Sequence, residues 1–206
     1  MAAKKNEPSD WYTGLHAFIF LDHAPEGMRT RDVVLTLRDL APDDTTTGKV
    51  IFASEFVGAY RAFAHVRVDD DNGQGMKRLL KYIAGPLWDA GARCTYATES
   101  GVAQTSIGSK GAKRGSPGII GLTRIKVKRS KAEEVWTQLV ALIEDDPETF
   151  VGASIVDGDF DILLQLGGET LEDVQNAAFQ LASVTGIARS ETALTDGSLY
   201  DEESSS

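Results

Sequence analysis

Two carboxylates flank an aromatic residue directly after a glycine turn in the second half of the chain. The segment runs Gly158-Asp159-Phe160-Asp161 and joins two apolar stretches. Carboxylates at such a turn can hold the ammonium group of an amino acid, while exposed backbone amides bind its carboxylate. Aspartates after a turn glycine also commonly hydrogen-bond their own backbone. The segment therefore indicates either a small-molecule site or a structural turn.

Three histidines, His16, His23 and His65, are the next candidates for chemistry. Only His16 and His65 fall in predicted strands, and none of the three has a spacing that fixes a metal ion. Isolated histidines are usually structural or solvated. Cys94, in another predicted strand, is typical of a small buried side chain, because no histidine lies near it. We therefore expect no catalytic residue, no metal site and no cofactor.

Positive charges alternate along a predicted strand at Arg124, Lys126 and Lys128. Such a cluster can bind an anion, RNA or an acidic partner, or it can be a solvated strand face whose charges block edge-to-edge aggregation. The chain has 21 Lys and Arg residues against 31 Asp and Glu, which gives a net charge of −10. This charge disfavours binding to nucleic acid or anionic membranes, so the solvated face is the favoured interpretation.

The composition is that of an ordinary soluble globular protein, with 42% hydrophobic and 25% charged residues in 206. The single cysteine, Cys94, cannot form an intramolecular disulfide. No apolar run reaches the roughly 18 residues of a membrane span, and none has the form of a signal peptide. These features favour a reducing cytoplasm.

The elements that must position these residues occur twice. Residues 52–61 reappear about 100 residues later as 152–161, each copy an apolar run, a glycine turn and a second apolar run. Hydrophobic spacing predicts the order β, α, β, β, α, β in each half. The predicted helices begin near Arg29 and cover 76–87, 130–143 and 170–183. Two of them begin with the spacing of a capping box, at Ser130 with Glu133 and at Thr170 with Asp173.

The sequence therefore predicts an α+β fold of two tandem ferredoxin-like (βαββαβ) units. Helices cover one face of each sheet, so the bare faces must be buried. Packing them against each other, as in a dimeric α/β barrel, is the economical solution. The predicted segments are a mobile N-terminal segment at 1–14, unit 1 at 15–100, a Gly/Ser/Lys linker at 101–118, unit 2 at 119–195 and an acidic disordered tail at 196–206.

The second half resembles the effector domain of the Lrp/AsnC transcription regulators, also called the RAM or small-molecule-binding domain. The likeness covers roughly 119–195 and is carried by residues 122–127, 132–136, 156–164 and 184–192. Its most specific parts are the turn at 158–161, similar to a G-x-Y-D turn with Phe in place of Tyr, and the R-x-E-T strand ending at Thr192. The first half is a weaker copy, because Arg61 stands where the turn's second aspartate belongs.

The resemblance implies that two such domains pair through their open sheet faces and that amino-acid effectors bind near the turn. The implied ligand-binding residues are Gly158, Asp159, Phe160, Asp161 and Thr192, with Gly58 and Tyr60 in the first copy. The implied partners are an amino acid or similar small effector, and further copies of the chain or another protein. The regulators begin with a helix-turn-helix, for which residues 1–14 are too few, so we expect no direct nucleic-acid binding.

We therefore expect a non-catalytic small-molecule-binding or oligomerisation protein that acts as a sensor or adaptor. Two alternatives stay open. A structural assembly subunit that forms rings or coats would need only exposed strand edges and matching surfaces. An α/β-barrel enzyme of the monooxygenase or haem-handling type would be marked by a polar pocket in the barrel on which His16 or His65 converges.

Overall fold

Ten strands and three α-helices alternate along the residues that the computed structural model describes, which are 15–24, 26–39, 48–68, 81, 93–99, 106–108 and 118–196. The first half contains β1 (Leu15–His23), α1 (Thr30–Asp39), β2 (Gly48–Glu55), β3 (Val57–Gly58), β4 (Ala62–Val68), β5 (Arg93–Glu99) and β6 (Ser106–Gly108). The second contains β7 (Ile119–Val127), α2 (Ala132–Asp145), β8 (Phe150–Gly158), β9 (Ile162–Gly168), α3 (Leu171–Gln180), a 3₁₀ turn (Leu181–Ser183) and β10 (Ile187–Asp196). The predicted α+β class is confirmed.

The strands form two antiparallel sheets that are joined at both edges. Strands β1, β2, β4 and β5 form the first sheet, and β3 and β6 join the strands of the second half in the other. The strands follow the order β2-β4-β1-β5-β8-β9-β7-β10-β3, with β6 also beside β8. Only Phe56 separates β2 from β3, so the path returns to the segment where it began. The two sheets thereby enclose a barrel interior between them.

The repeated glycine turns have equivalent hydrogen bonds. The amide of Phe56 donates to the carbonyl of Arg61 at 2.7 Å, and the amide of Val156 donates to that of Asp161 at 2.9 Å. Both bonds hold a strand and its successor together around the turn. The repeat seen in the sequence is therefore a repeat in backbone structure over these segments.

Each turn pairs with a strand of the opposite half. Gly58 pairs with Ala193 of β10, and Gly158 pairs with Ala97 of β5. Gly58 has φ +131°, and a Cβ atom there would lie 2.8 Å from the carbonyl oxygen of Thr192. Glycine is therefore required at this junction, both for its backbone conformation and for the close approach of β10.

Side-chain alternation along the strands separates three apolar cores. One lies between the first sheet and α1, through Val33, Val34 and Leu37. A second lies between the second sheet and the helices α2 and α3. The third fills the barrel interior with residues from both halves, namely Phe18, Phe20, Phe56, Tyr60, Phe63, Leu122, Val156, Phe160, Leu163 and Ala193.

The two expected capping boxes have different outcomes. At α3 the Thr170 hydroxyl accepts from the Asp173 amide, and the Asp173 carboxylate accepts from the Thr170 amide, as predicted. At α2 the prediction is wrong, because the helix begins one residue after Lys131 and no side chain caps it. Ser130 has φ +63° and donates its hydroxyl to the carbonyl of Arg129. The chain needs a left-handed residue to turn from β7 into α2, and this displaces the expected cap.

Several expectations fall on residues that the structure does not describe or describes differently. The segment 1–14, most of the helix expected at 76–87 and the tail from 197 lie outside the described residues. Two tandem ferredoxin-like units are therefore not confirmed. Within the stretch expected to be a linker, Ser106–Gly108 forms β6 and pairs with β8, so that part is strand. No helix among the described residues is long and apolar enough to cross a membrane.

Candidate active site in the barrel interior

Side chains alternate between the two faces of β1, and this alternation places His16 on the face that lines the barrel. Ala17, Ile19 and Leu21 pack towards α1, so the residues between them face the opposite side of the sheet. Phe18 and Phe20 accordingly lie in the barrel core. His16 has the same phase, and it is 4% exposed.

His16 meets His65 inside this end of the barrel. The register of β1 with β4 sets Phe18 opposite His65 and His16 opposite Arg67, which makes the two histidines diagonal neighbours. His16 Nδ1 and His65 Nε2 lie 2.7 Å apart, and the ring centroids are 5.0 Å apart at an interplanar angle of 36°. His65 is half-buried, so it is the more exposed member of the pair.

Desolvation keeps the His65 imidazole neutral at physiological pH. Its pKa is lowered to about 3, mainly by burial, and charge repulsion from the nearby His16 and Arg67 contributes to this shift. One hydrogen atom lies between the facing nitrogens, carried by either ring. In both tautomers the neutral pair has one N–H and one lone pair on its outer nitrogens, His16 Nε2 and His65 Nδ1. The pair can therefore take up a proton at one end and release another at the opposite end.

Aromatic side chains fill the barrel beneath the histidine pair. Phe18 lies against His65 with 4.9 Å between centroids and against Phe63 at 6.0 Å. Phe63 in turn contacts Phe20 at 5.1 Å. These rings are at packing distance, which leaves no room for a haem plate among them. The described part of the interior therefore does not fit haem, although His65 has the neutral imidazole that iron would need.

A buried ion cluster lies at the other end of β1. Arg124, 9% exposed, donates from Nη1 to Asp22 at 3.2 Å and from Nη2 to Glu191 at 3.0 Å. Its guanidinium carbon lies 5.2 Å from the centroid of Phe20 and 4.9 Å from that of Tyr60. Asp22 belongs to the first half of the chain and Arg124 to the second. The cluster therefore ties the two halves together at this end of the barrel.

The basic strand is a solvated face only in part, because Lys126 and Lys128 are exposed, as predicted, and Arg124 is buried. Its strand, β7, lies between β9 and β10 and is not an edge. Arg124 points into the barrel, Lys126 pairs with Asp161 at 2.9 Å, and Lys131 pairs with Glu134. The prediction is wrong for Arg124, because a carboxylate from each half compensates its buried charge.

Hydrogen bonds hold the turn at 158–161 against the end of β7. Asp161 accepts from Lys126 Nζ at 2.9 Å and from the backbone amide of Val127 at 2.7 Å, which ties the turn to the end of β7. Phe160 is buried in the barrel with its ring edge-on to Phe20 at 5.1 Å. Gly158 and Asp159 are exposed.

The other proposed ligand residues lie in the barrel wall. Tyr60 is buried, and its hydroxyl donates to the carbonyl of Leu122 at 2.9 Å. Thr192 shares a hydrogen bond of 2.8 Å with Thr123 on the neighbouring strand. Gly58 contacts Thr192 through the junction described above. Gly58 thus lies beside Thr192, and Tyr60 and Phe160 both contact Phe20. In this structure the contacts of these residues are with the rest of the barrel wall and core.

The sequence reasoning named His16 and His65 but missed their pairing. The available signal was the phase of each strand, because His16 alternates with Phe18 and Phe20, and His65 with Phe63. The diagonal contact depends on the register between β1 and β4, which residue types alone do not fix. Among the described residues, no group of three or more His, Cys, Asp or Glu side chains could hold a metal ion.

No protein-family model and no curated protein matches the sequence. Solved structures match over most of its length. One is an anthrone oxidase-like protein, with a TM-score of 0.54, 12% identity, and coverage of 88% of this chain and 92% of that chain. Two are mutants of chlorite dismutase from Candidatus Nitrospira defluvii, with TM-scores of 0.55 and 0.57 and identities of 11% and 12%, each covering 89% of this chain and 92% of the other.

These matches correct the expected function. The proteins with this fold carry the names of enzymes, which contradicts the prediction of a non-catalytic sensor or adaptor and favours the enzyme alternative. The α/β-barrel part of the resemblance is confirmed, whereas an Lrp/AsnC effector domain is not shown. At 11–12% identity the likeness establishes the fold alone. The chain is thus similar in fold to the dimeric α/β-barrel proteins.

Proposed function

We propose that the protein is an α/β-barrel enzyme of the oxidase or oxygenase type that acts on a small aromatic molecule at the His16–His65 end of the barrel. The observation that carries this proposal is the convergence of two distant histidines at 2.7 Å in an aromatic interior. A charged or dipolar pair gains nothing from such burial in a purely structural role, because desolvation of imidazole opposes it. Perturbed titratable groups in a cleft are typical of active sites.

His65 receives a proton from the substrate but does not keep it. Its low pKa makes the protonated form unfavourable there, so the proton crosses to His16 through the short contact. His65 Nδ1 takes the proton, and Nε2–H passes its own to His16 Nδ1. His65 is then neutral again while the substrate anion remains beside it. The positive charge of Arg67, which reaches His65 electrostatically, favours that anion.

The proposed reaction is the oxidation of an acidic carbon–hydrogen bond by dioxygen. An anthrone has such a bond, and one of the matched structures is an anthrone oxidase-like protein. Loss of one proton from the CH2 carbon gives a carbanion, which dioxygen oxidises. One oxygen atom of the dioxygen becomes the ketone oxygen, and the other leaves as water with the two hydrogen atoms of that carbon. The chain's residues supply proton transfer and a water-poor aromatic site. No step requires haem, which the described interior does not fit.

The test is oxygen uptake by the purified protein with anthrone and with one-ring and two-ring aromatic compounds that carry an acidic CH2 group, and chlorite decomposition in parallel. His16→Asn and His65→Gln are the informative variants, because their amides occupy the positions of Nδ1 and Nε2 without an ionisable ring. We expect each to lower kcat by a factor of about 10² or more with little change in fold. His23→Gln is the matched control, since His23 is exposed at the end of β1.

Oxygen uptake that is equal in all three variants would refute the role of the pair. A fixed assembly without turnover of any compound would favour the structural alternative instead, and light scattering of the same samples measures this. The Lrp/AsnC resemblance, the tandem ferredoxin-like units, the homo-oligomer and the domain bounds stay predictions. The repeated turns at Gly58 and Gly158 support the duplication among them.

A further inference from the structure

Phe18 separates the histidine pair from the aromatic cluster at the centre of the barrel. It is directly opposite His65 in the register of β1 and β4. One side of its ring lies against His65 at 4.9 Å and another lies nearly parallel to Phe63 at 6.0 Å and 17°. It is 5% exposed, so it fills the space between the two groups.

Phe18 closes the side of His65 that faces the aromatic cluster, so a molecule that contacts His65 must come from another side. Phe18 occupies the position beside His65, and Phe63 precedes His65 by two residues on the same face of β4. Both rings are held by further aromatic neighbours, with Phe20 and Phe56 contacting Phe63. The aromatic cluster therefore cannot yield to an incoming ring without loss of packing.

From this geometry we infer that Phe18 is the floor of the substrate site and determines how large a ring system can contact His65. The inference rests on the proposed function and adds a substrate class to it, namely single-ring aromatic molecules or one ring of a larger molecule. Replacing Phe18 by alanine removes the floor and leaves a space the size of a benzene ring beside His65. Apolar cavities of this kind stay dry and bind benzene.

The test uses benzene as the probe and the ring-proton NMR signals of the three histidines as the readout. In Phe18→Ala we expect benzene to shift the His65 and His16 signals and to leave the signal of exposed His23 in place. The wild-type protein, in which Phe18 fills this space, should bind benzene more weakly and show a smaller shift. Thermal unfolding confirms that each variant is folded before titration.

Phe160→Ala is the matched control. It removes the same ring from the same barrel core at a residue that is also nearly fully buried, but Phe160 contacts Phe20 and not the histidine pair. We expect benzene to bind there without moving the His65 signals. If Phe18→Ala does not fold, Phe18→Leu opens a smaller space at the same place and is read in the same way.

The kinetic arm compares two-ring with one-ring substrates. Phe18→Ala should raise the ratio of their kcat/KM values by about ten-fold or more, and Phe160→Ala should leave it unchanged. Equal benzene effects on His65 in the two variants would overturn the inference. A wild-type protein without turnover would instead count against the proposed function, while the benzene titration would still decide whether Phe18 is the floor.

Discussion

At the scale of single residues, burial of the His65 imidazole ties the stability of the fold to pH. The pKa falls from 6.5 to about 3 on folding, with desolvation as the main cause. Between these values the unfolded chain binds a proton that the folded chain does not, so stability falls as the pH is lowered from about 6.5 towards 3.

The slope that His65 contributes in this range is up to about 1.4 kcal/mol per pH unit. Urea unfolding of the wild type and of His65→Gln from pH 7 to pH 4 measures it. The variant should lose less stability on acidification, because it has no imidazole to protonate. Parallel curves for the two proteins would show that His65 is not desolvated as described. His23→Gln should reproduce the wild-type slope.

The residue types predicted which strand faces carry His16 and His65, but not the contact between them. Alternation with phenylalanines placed His16 and His65 on strand faces, but their contact arises from a register that is set by the whole β1–β4 pairing. The ligand role of Asp161 stays a prediction, because the residue type alone does not separate it from a structural role. A carboxylate after a glycine turn satisfies backbone amides as readily as it binds a ligand, and here it accepts from Val127.

At the scale of elements, local sequence determines where α3 begins but not where α2 begins. Thr170 and Asp173 cap each other's amides at α3. Ser130 faces away from the first turn of α2, because its backbone is left-handed. Strands and helices were predicted well where hydrophobic periodicity is long. The periodicity did not predict β3 and β6, which have two and three residues. These short strands form by pairing with β10 and β8.

Thr170→Ala and Ser130→Ala compare these two helix starts directly. Loss of the Thr170 cap should lower the free energy of unfolding by about 1 kcal/mol, because the Asp173 amide loses its partner. Ser130→Ala should have little effect, because its hydroxyl bonds only the carbonyl of Arg129. Denaturant midpoints measure both changes. Equal losses in the two variants would mean that Ser130 caps α2 after all.

At the scale of the whole molecule, the two halves are held together by side chains from both. Arg124 bridges Asp22 of the first half and Glu191 of the second inside the barrel. The duplication was readable from the repeated glycine turns. The cluster was not, since Arg124 follows the same alternation as Lys126 and only the closed barrel distinguishes them.

Arg124→Met should destabilise the protein by roughly 3 kcal/mol, because it leaves the mostly buried Asp22 without its cation and leaves Glu191 paired only with Arg189. Lys126→Met is the control, since its pair with Asp161 is far more exposed and should cost less than about 1 kcal/mol. Chemical unfolding at neutral pH gives both values. If Arg124→Met lowers the free energy of unfolding no more than Lys126→Met does, the Arg124 cluster is exposed to solvent and not buried.

The junction between β3 and β10 also determines when the barrel can close during synthesis of the chain. Gly58 pairs with Ala193, about 135 residues later, so the barrel cannot close until β10 has left the ribosome. Both histidines and most of the phenylalanines belong to the first half, which is synthesised earlier and waits with an open apolar sheet face. Such a face associates with any other exposed strand surface. The same arrangement that isolates the histidine pair in the finished molecule makes its first half the part most dependent on protection by chaperones during synthesis.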